Sequence, residues 1–230
     1  MTALMLPCIM GHAEIQRVLV GRGASVGAAC TNTGLTAVML ACRGDEVDIV
    51  RMFVEQGIDV NAAPTWHDGM TAFLHACYGG NLDIVRFLVE HAGADANASD
   101  SFGQTAAMYL YFSNSEIEVL HETLQLLLIY GGANVNAVDA NGMSVLMLSV
   151  EEGGDLLKPV SFLLEHGGAH VNAARTDNGF TALMYAAKSD TLDIVLLLLA
   201  HGADRHALNF AGETAHALAA GRPLVQAALA

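Results

Sequence analysis

The stretch TALMYAAKSDTLDIVLLLLAHGADRHALN, Thr181 to Asn209, decides how the chain is read. It opens on a Thr that can cap a helix, and small residues, Ala186-Ala187, follow. A second amphipathic segment, LDIVLLLLAH, starts at Leu192 and carries Asp193 at the positive end of its helix dipole. It closes on Gly-Ala-Asp, a turn composition. Two short helices and a turn therefore form one unit.

The unit recurs. TALM at Thr2, TAVM at Thr36, TAFL at Thr71, TAAM at Thr105, SVLM at Ser144, TALM at Thr181 and TAHA at Thr214 are spaced by 34, 35, 34, 39, 37 and 33 residues. A fixed period of this size marks a stacked repeat architecture. The closing turns GIDVNA, AGADANA, GANVNA, GAHVNA and GADRHA keep the same register, and so do the acidic openings of the second helix at Glu14, Asp48, Asp83 and Asp193. The excess length falls at loops: one extra residue in HAGA, YGGA and HGGA, two near Pro64 and Thr65, and about five ahead of repeat four's second helix. There Ser115 and Glu118 read as a capping box. Pro159 suits the first turn of repeat five's second helix.

These residues resemble the ankyrin repeat, with its D-x-x-G-x-T-P-L-H-x-A-A start, G-H-x-E-I-V second helix and G-A-D-V-N-A turn. The resemblance spans the whole chain. It implies an all-α ankyrin-repeat solenoid of stacked helix-turn-helix pairs with β-turn fingers, a single domain over 1–230. Repeats start near 1, 31, 66, 100, 139, 176 and 209, the first lacks its finger and the last is a C-terminal cap. The T-P-L-H tetrad is nowhere intact. Ala or Val stands for Pro, and Met5, Met39, Met108, Met147 and Met184 fill the His slot, so flexible thioether packing is expected to replace a hydrogen bond and soften the array. Pro7 falls where the first helix should run, at an expected cost of about 3 kcal/mol. Repeat one is thus expected to be frayed, or to continue a frame that extends upstream.

The composition fits this reading. The chain has 230 residues, 53% hydrophobic and 15% charged, with a formal net charge of −14. No apolar run reaches the roughly 18 residues of a membrane span, and the start has no basic region or cleavage site of a signal peptide. Ten basic residues against 24 acidic ones argue against nucleic acid and for a protein partner, one with a basic surface. Cys8, Cys42 and Cys77 share one slot, six residues after the Thr, where equivalent helices about 8–10 Å apart are too distant for a disulfide. They read as small core residues, and Cys30 as the most exposed thiol. With no secretory signal, a cytoplasmic or nuclear setting is expected.

Chemistry is scarce. His166 and His170 flank a glycine loop rather than sharing a helix face, GRGASVG follows a helix rather than a strand, and VDANG lacks the other calcium ligands. No triad or paired carboxylate stands in a motif, so no catalytic residue, cofactor, metal or small-molecule substrate is expected. The resemblance implies a non-catalytic interaction module or scaffold that docks a partner on the concave finger and helix-one face. The alternatives are an inhibitory or targeting subunit that regulates an enzyme, or a fragment of a longer multidomain protein.

Slot by slot, the docking face draws most on Trp66, His67, Met70 and Tyr78 of repeat three and on Phe102, Gln104 and Phe112 of repeat four, residue types that interface cores favour. Other fingers and helix ends add Asn32, Arg43, Glu151, Glu152 and Lys188 among others. The competing reading is that Trp66 covers its long finger and Phe112 packs under the insertion. In the family, the asparagine before the last Ala of the turn can be hydroxylated. Asn61, Asn97, Asn136 and Asn172 hold that slot, where closing the β-turn is the simpler role.

Overall fold

The computed structural model describes residues 2–64, 68–113, 115–151 and 156–230. The chain divides into two compact units, Met1–Ala133 and Asn134–Ala230, and each is described by itself. The first holds α1 (Met5–Ile9), α2 (Ala13–Gly21), α3 (Ala37–Arg43), α4 (Val47–Glu55), α5 (Ala72–Gly79), α6 (Leu82–His91), α7 (Ala106–Tyr109) and α8 (Ile117–Ile129). A 3-10 turn over Leu110–Phe112 continues α7. The second holds α9 (Val145–Glu151), α10 (Leu157–Glu165), α11 (Ala182–Lys188), α12 (Leu192–Ala200), α13 (Ala215–Leu218) and α14 (Pro223–Leu229). The fold is all-α: among the described residues the extended contacts are isolated backbone bridges at the turns, such as Ala29 with Thr36 and Ala174 with Thr181.

Helix starts follow from the repeated hydroxyl. The side chains of Thr36, Thr71, Thr181 and Thr214 accept the N–H of the residue three positions on, from 3.2 to 3.4 Å away, and Ser144 accepts that of Met147. Thr105 departs from the pattern and makes no such side-chain bond. The glycine two residues before each hydroxyl turns the chain left-handed. At Gly142 the need is double, because φ is +78° and a Cβ would lie 2.6 Å from the Thr176 nitrogen.

Helix pairs stack on small side chains. Ala41 and Cys42, Ala76 and Cys77, and Ala186 and Ala187 are fully enclosed, and so are Phe53, Leu88, Leu127, Leu163 and Leu198 on the second helices. Each such large side chain contributes about 1.5–3 kcal/mol through burial. Cys8, Cys42 and Cys77 lie in the core as free thiols, and the slot-four residues Met5, Met39, Met108, Met147 and Met184 are all buried.

Two expectations are corrected. Ser115 does not cap α8: Glu116 holds the N-cap position, while the Ser115 hydroxyl donates to the Gly80 carbonyl at 3.3 Å and accepts from Ser113 at 2.9 Å. The insertion is thereby tied to the end of α5. Pro7 also does not break its helix. A helix beginning directly after Thr2 would place the ring against the Ala3 carbonyl. Instead α1 starts at Met5 with Leu4 as an uncapped N-cap, so Pro7 falls in the first turn, where an N–H has no intrahelical acceptor. Pro159 occupies the first turn of α10 as expected. The stretch EEGG before it, with Glu152, lies outside the described residues beyond Glu151.

Candidate functional site: an aromatic row on the finger and helix-one face

In the first unit, successive first helices end side by side, and their last turns carry a row of rings. The Arg43 guanidinium, at the end of α3, sits 4.8 Å above the Tyr78 ring of α5. Tyr78 meets Tyr109 of α7 edge to face at 6.0 Å, and Tyr109 meets Phe112 in the same way at 6.0 Å. Both geometries are the ones ring quadrupoles favour. The row presents aromatic edges and one guanidinium, the groups that dominate protein-binding hot spots.

Tyr109 locks the finger in front of it. Its hydroxyl donates to Asp100 Oδ2 at 2.7 Å, while Asp100 Oδ1 accepts the N–H groups of Phe102 at 2.9 Å and Gln104 at 2.7 Å. Burial, then the bond to Asp100, pushes the Tyr109 phenol far above its ordinary range, so it stays a donor. Phe102 projects from the tip of this braced turn with 59% of its surface exposed. The Ser101 N–H donates to the Asp68 carbonyl at 2.6 Å, joining the fingers of repeats three and four.

The expected residues sort out as follows. Tyr78 and Phe112 each pack against Tyr109, Phe102 stands exposed on the finger that Asp100 ties to Tyr109, and Gln104 is half-buried with its N–H committed to Asp100. Met70 is corrected: it is buried, with its N–H held by Asp68 Oδ1 at 3.3 Å, and it supports the finger from beneath. Trp66 and His67 lie outside the described residues. The residue missed was Tyr109. Its signal was the slot four positions after the hydroxyl, which holds Tyr again at Tyr185 and His at His75.

The second unit repeats the theme with charge. Arg175 donates Nε and Nη2 to the two carboxylate oxygens of Asp177, at 2.9 and 2.5 Å, and Nη1 to the Tyr185 hydroxyl at 3.0 Å. Phe180 packs against the Tyr185 ring at 5.3 Å. The fork lowers the Asp177 carboxyl pKa, chiefly through the Arg175 bonds. Glu151 and Lys188 are exposed on helix-one ends of this unit.

His75 differs from its tyrosine counterparts. It is buried, and neither ring nitrogen has a hydrogen-bond partner among the described residues. Burial lowers its pKa to about 4, with Asp68 opposing and Arg43 reinforcing the shift. Cys30 is half-buried. The Thr33 hydroxyl and the N–H groups of Asn32 and Thr33 lower its pKa to about 6, whereas burial raises Cys8 to about 12.

The four turn asparagines form rungs between repeats. Asn61 donates to the Gly93 carbonyl at 3.0 Å and accepts the Asp95 N–H at 2.9 Å. Asn97 donates to Gly132, Asn136 bridges Gly168 and His170, and Asn172 bridges Gly202 and Asp204, all at 2.7–3.1 Å. The N–H groups of Asn61, Asn97 and Asn136 are taken by the side chains of Asp59, Asp95 and Asn134, two residues earlier. Thus these three turns are closed by the preceding acidic or amide residue, and in all four the Asn side chain fastens the next repeat. Repeat one has Gly27 in this slot, and a largely apolar recess of about 200 Å³ opens there between Val38, Met39 and Ile58. Among the described residues no group of three His, Cys, Asp or Glu side chains is placed to hold a metal ion, and no helix is long and apolar enough to cross a membrane.

Comparison with known proteins agrees with this architecture. A family model described as ankyrin repeats (3 copies) matches residues 1–64 and 116–209, and one described as ankyrin repeats (many copies) matches residues 41–89 and 75–120. The chain is 33% identical to the B-cell lymphoma 3 protein homolog of Mus musculus over 134 residues, 58% of this chain and 29% of that protein. It is 36% identical to a putative ankyrin repeat-containing protein of Treponema pallidum (strain Nichols) over 96 residues, 42% of this chain and 31% of that one. The matched part is thus under a third of the length of either relative. Among solved structures, the human ASB11 ankyrin repeat domain superposes with a TM-score of 0.82 at 23% identity, covering 100% of this chain and 96% of that one. The ankyrin repeat domain of Bcl-3, titled a unique member of the IkappaB protein family, gives 0.77 at 28%, covering 100% and 98%. With family models matching well over half of its residues, helix pairs in the expected register and asparagine rungs between them, the chain belongs to the ankyrin repeat family.

Proposed function

We propose that the chain is a non-catalytic protein-interaction module, and that its partner docks on Arg43, Tyr78, Phe102 and Phe112, with the buried Tyr109 as their support. One observation carries this reading: in the first unit the rings of Tyr78, Phe102 and Phe112 are left partly open to solvent, while the buried Tyr109, bonded to Asp100, packs against Tyr78 and Phe112. Preorganised rings lose little rotamer freedom on binding, which favours affinity. The net charge of −14 suits a partner with a basic surface, and association would then weaken as salt rises. Cytoplasm or nucleus is the setting this reading favours, with the module acting as a scaffold.

The test is affinity capture with Tyr78→Ala, Phe102→Ala and Phe112→Ala combined, compared with the unmodified chain. These positions lie at helix and finger ends, so helical circular dichroism should be retained while partner affinity falls at least about 30-fold, the scale of one strong hot spot. Equal capture of the same partner by folded wild type and triple variant would remove this face from the reading.

A further inference from the structure

The seam between repeats one and two has no clasp of its own, yet it keeps both groups that a clasp would hold. In four later seams an asparagine carboxamide donates to a glycine carbonyl of the next turn, at Gly93, Gly132, Gly168 and Gly202, from 2.9 to 3.1 Å away. In three of these the same carboxamide accepts the N–H two residues beyond that glycine, from Asp95, His170 or Asp204 at 2.7–2.9 Å. At the seam after α2 the clasp position is Gly27, and the matching groups are the Gly57 carbonyl and the Asp59 N–H. Neither has a hydrogen-bond partner among the described residues. Beside them lies the recess of about 200 Å³, walled by Val38 and Met39 of α3, Ala72 of α5 and Ile58. Gly27, Gly57 and Asp59 are all exposed, so a side chain from outside can reach the position.

We infer that this open clasp receives the side-chain carboxamide of a glutamine from a partner protein. The two backbone groups set the chemistry: the carbonyl takes a donor, the N–H takes an acceptor, and a primary carboxamide carries both on one planar group. The molecule itself holds that group between that pair of partners around Asn61, Asn136 and Asn172. A lysine ammonium only donates and leaves the Asp59 N–H unanswered. A carboxylate only accepts, and it would face both the Gly57 carbonyl and the Asp59 side chain that borders the recess. Length favours glutamine over asparagine. The native clasps hang from their own turn by one methylene, whereas a side chain arriving from outside must cross the recess, and the second methylene of glutamine does so against Val38 and Met39. The site shares no residue with Arg43, Tyr78, Phe102 and Phe112, so it stands or falls apart from that surface.

The test titrates the 230-residue chain with the peptide acetyl-Gly-Gln-Gly-amide and follows the methyl resonances of Ile58 and Met39 by NMR. Both should shift and saturate with a dissociation constant on the order of 1–10 mM, the range open to one side chain. The glutamate and norleucine counterparts of the peptide keep the stem but lose the donor or both polar groups, and they should bind at least about tenfold more weakly. Gly27→Asn, which supplies a carboxamide from within, should keep its helical circular dichroism and lose the response to the glutamine peptide. Glutamine and norleucine peptides that shift the methyls alike in the wild-type chain would overturn the inference, because the recess would then be an apolar hollow and nothing more. So would a wild-type chain that shows no response at about 100 mM glutamine peptide, well above the expected constant. A folded Gly27→Asn that responds as fully as the wild type would overturn it as well.

Discussion

Across the repeats, the position four residues after the helix-capping hydroxyl receives three chemistries, and the surroundings of each decide what it does. Leu148 fills it with hydrocarbon, Tyr109 and Tyr185 find polar partners for their hydroxyls, and His75 finds none for its nitrogens. An imidazole enclosed in this way is held neutral. Its folded pKa of about 4 lies below the ordinary 6.5, so between those values the unfolded chain binds the extra proton. Stability from this group is therefore intact above pH 6.5 and is lost as pH falls toward 4, by about 3 kcal/mol in all. His75→Leu should flatten that dependence and, by removing two unpaired polar atoms, match or exceed the wild type at pH 7 by about 1 kcal/mol. Urea denaturation at pH 7 and 5 checks it: an equal loss in both proteins on acidification would show that His75 is not the titrating group.

At the scale of helices and turns, the asparagine rungs invite an addition at Gly27. Its backbone is not left-handed, and a Cβ there would meet only Ile58 Cδ1, at an ordinary 3.5 Å. Gly27→Asn should form the missing rung to repeat two, partly fill the recess beside it and restrict the unfolded chain, for a gain of about 1 kcal/mol. A urea midpoint that does not rise would mean the turn after α2 cannot adopt the geometry of the other four. Much at this scale was legible in the sequence, because period, capping hydroxyls, turn glycines and acidic first turns are local signals. What escaped was set by neighbours in space. Ser115 answers Gly80 from 35 residues away rather than its own helix, Met70 is drawn under a finger that the pattern left exposed, and Tyr109 becomes a brace only because Asp100 stands across from it. Pro7 shows a local rule yielding to local adjustment, since the helix simply starts later.

Taken as a whole, the chain carries 24 acidic and 10 basic side chains, and the ion pairs among the described residues are mostly exposed ones such as Arg17 with Glu14 and Asp48. Exposed pairs contribute about 0–1 kcal/mol each, so net repulsion outweighs them. Melting temperature should accordingly rise by a few degrees from about 20 mM to about 300 mM sodium chloride as screening sets in. A fall would show that attractive pairs dominate. The rungs have a mechanical meaning as well. Within each unit, a pull along the stack loads the seams between repeats in series, and a seam with an asparagine clasp must break two hydrogen bonds at once where Asn61, Asn136 or Asn172 holds both a carbonyl and an amide. The seam after α2 has glycine in place of the clasp, so under tension on the first unit the first repeat peels away before the clasped seam around Asn61 gives.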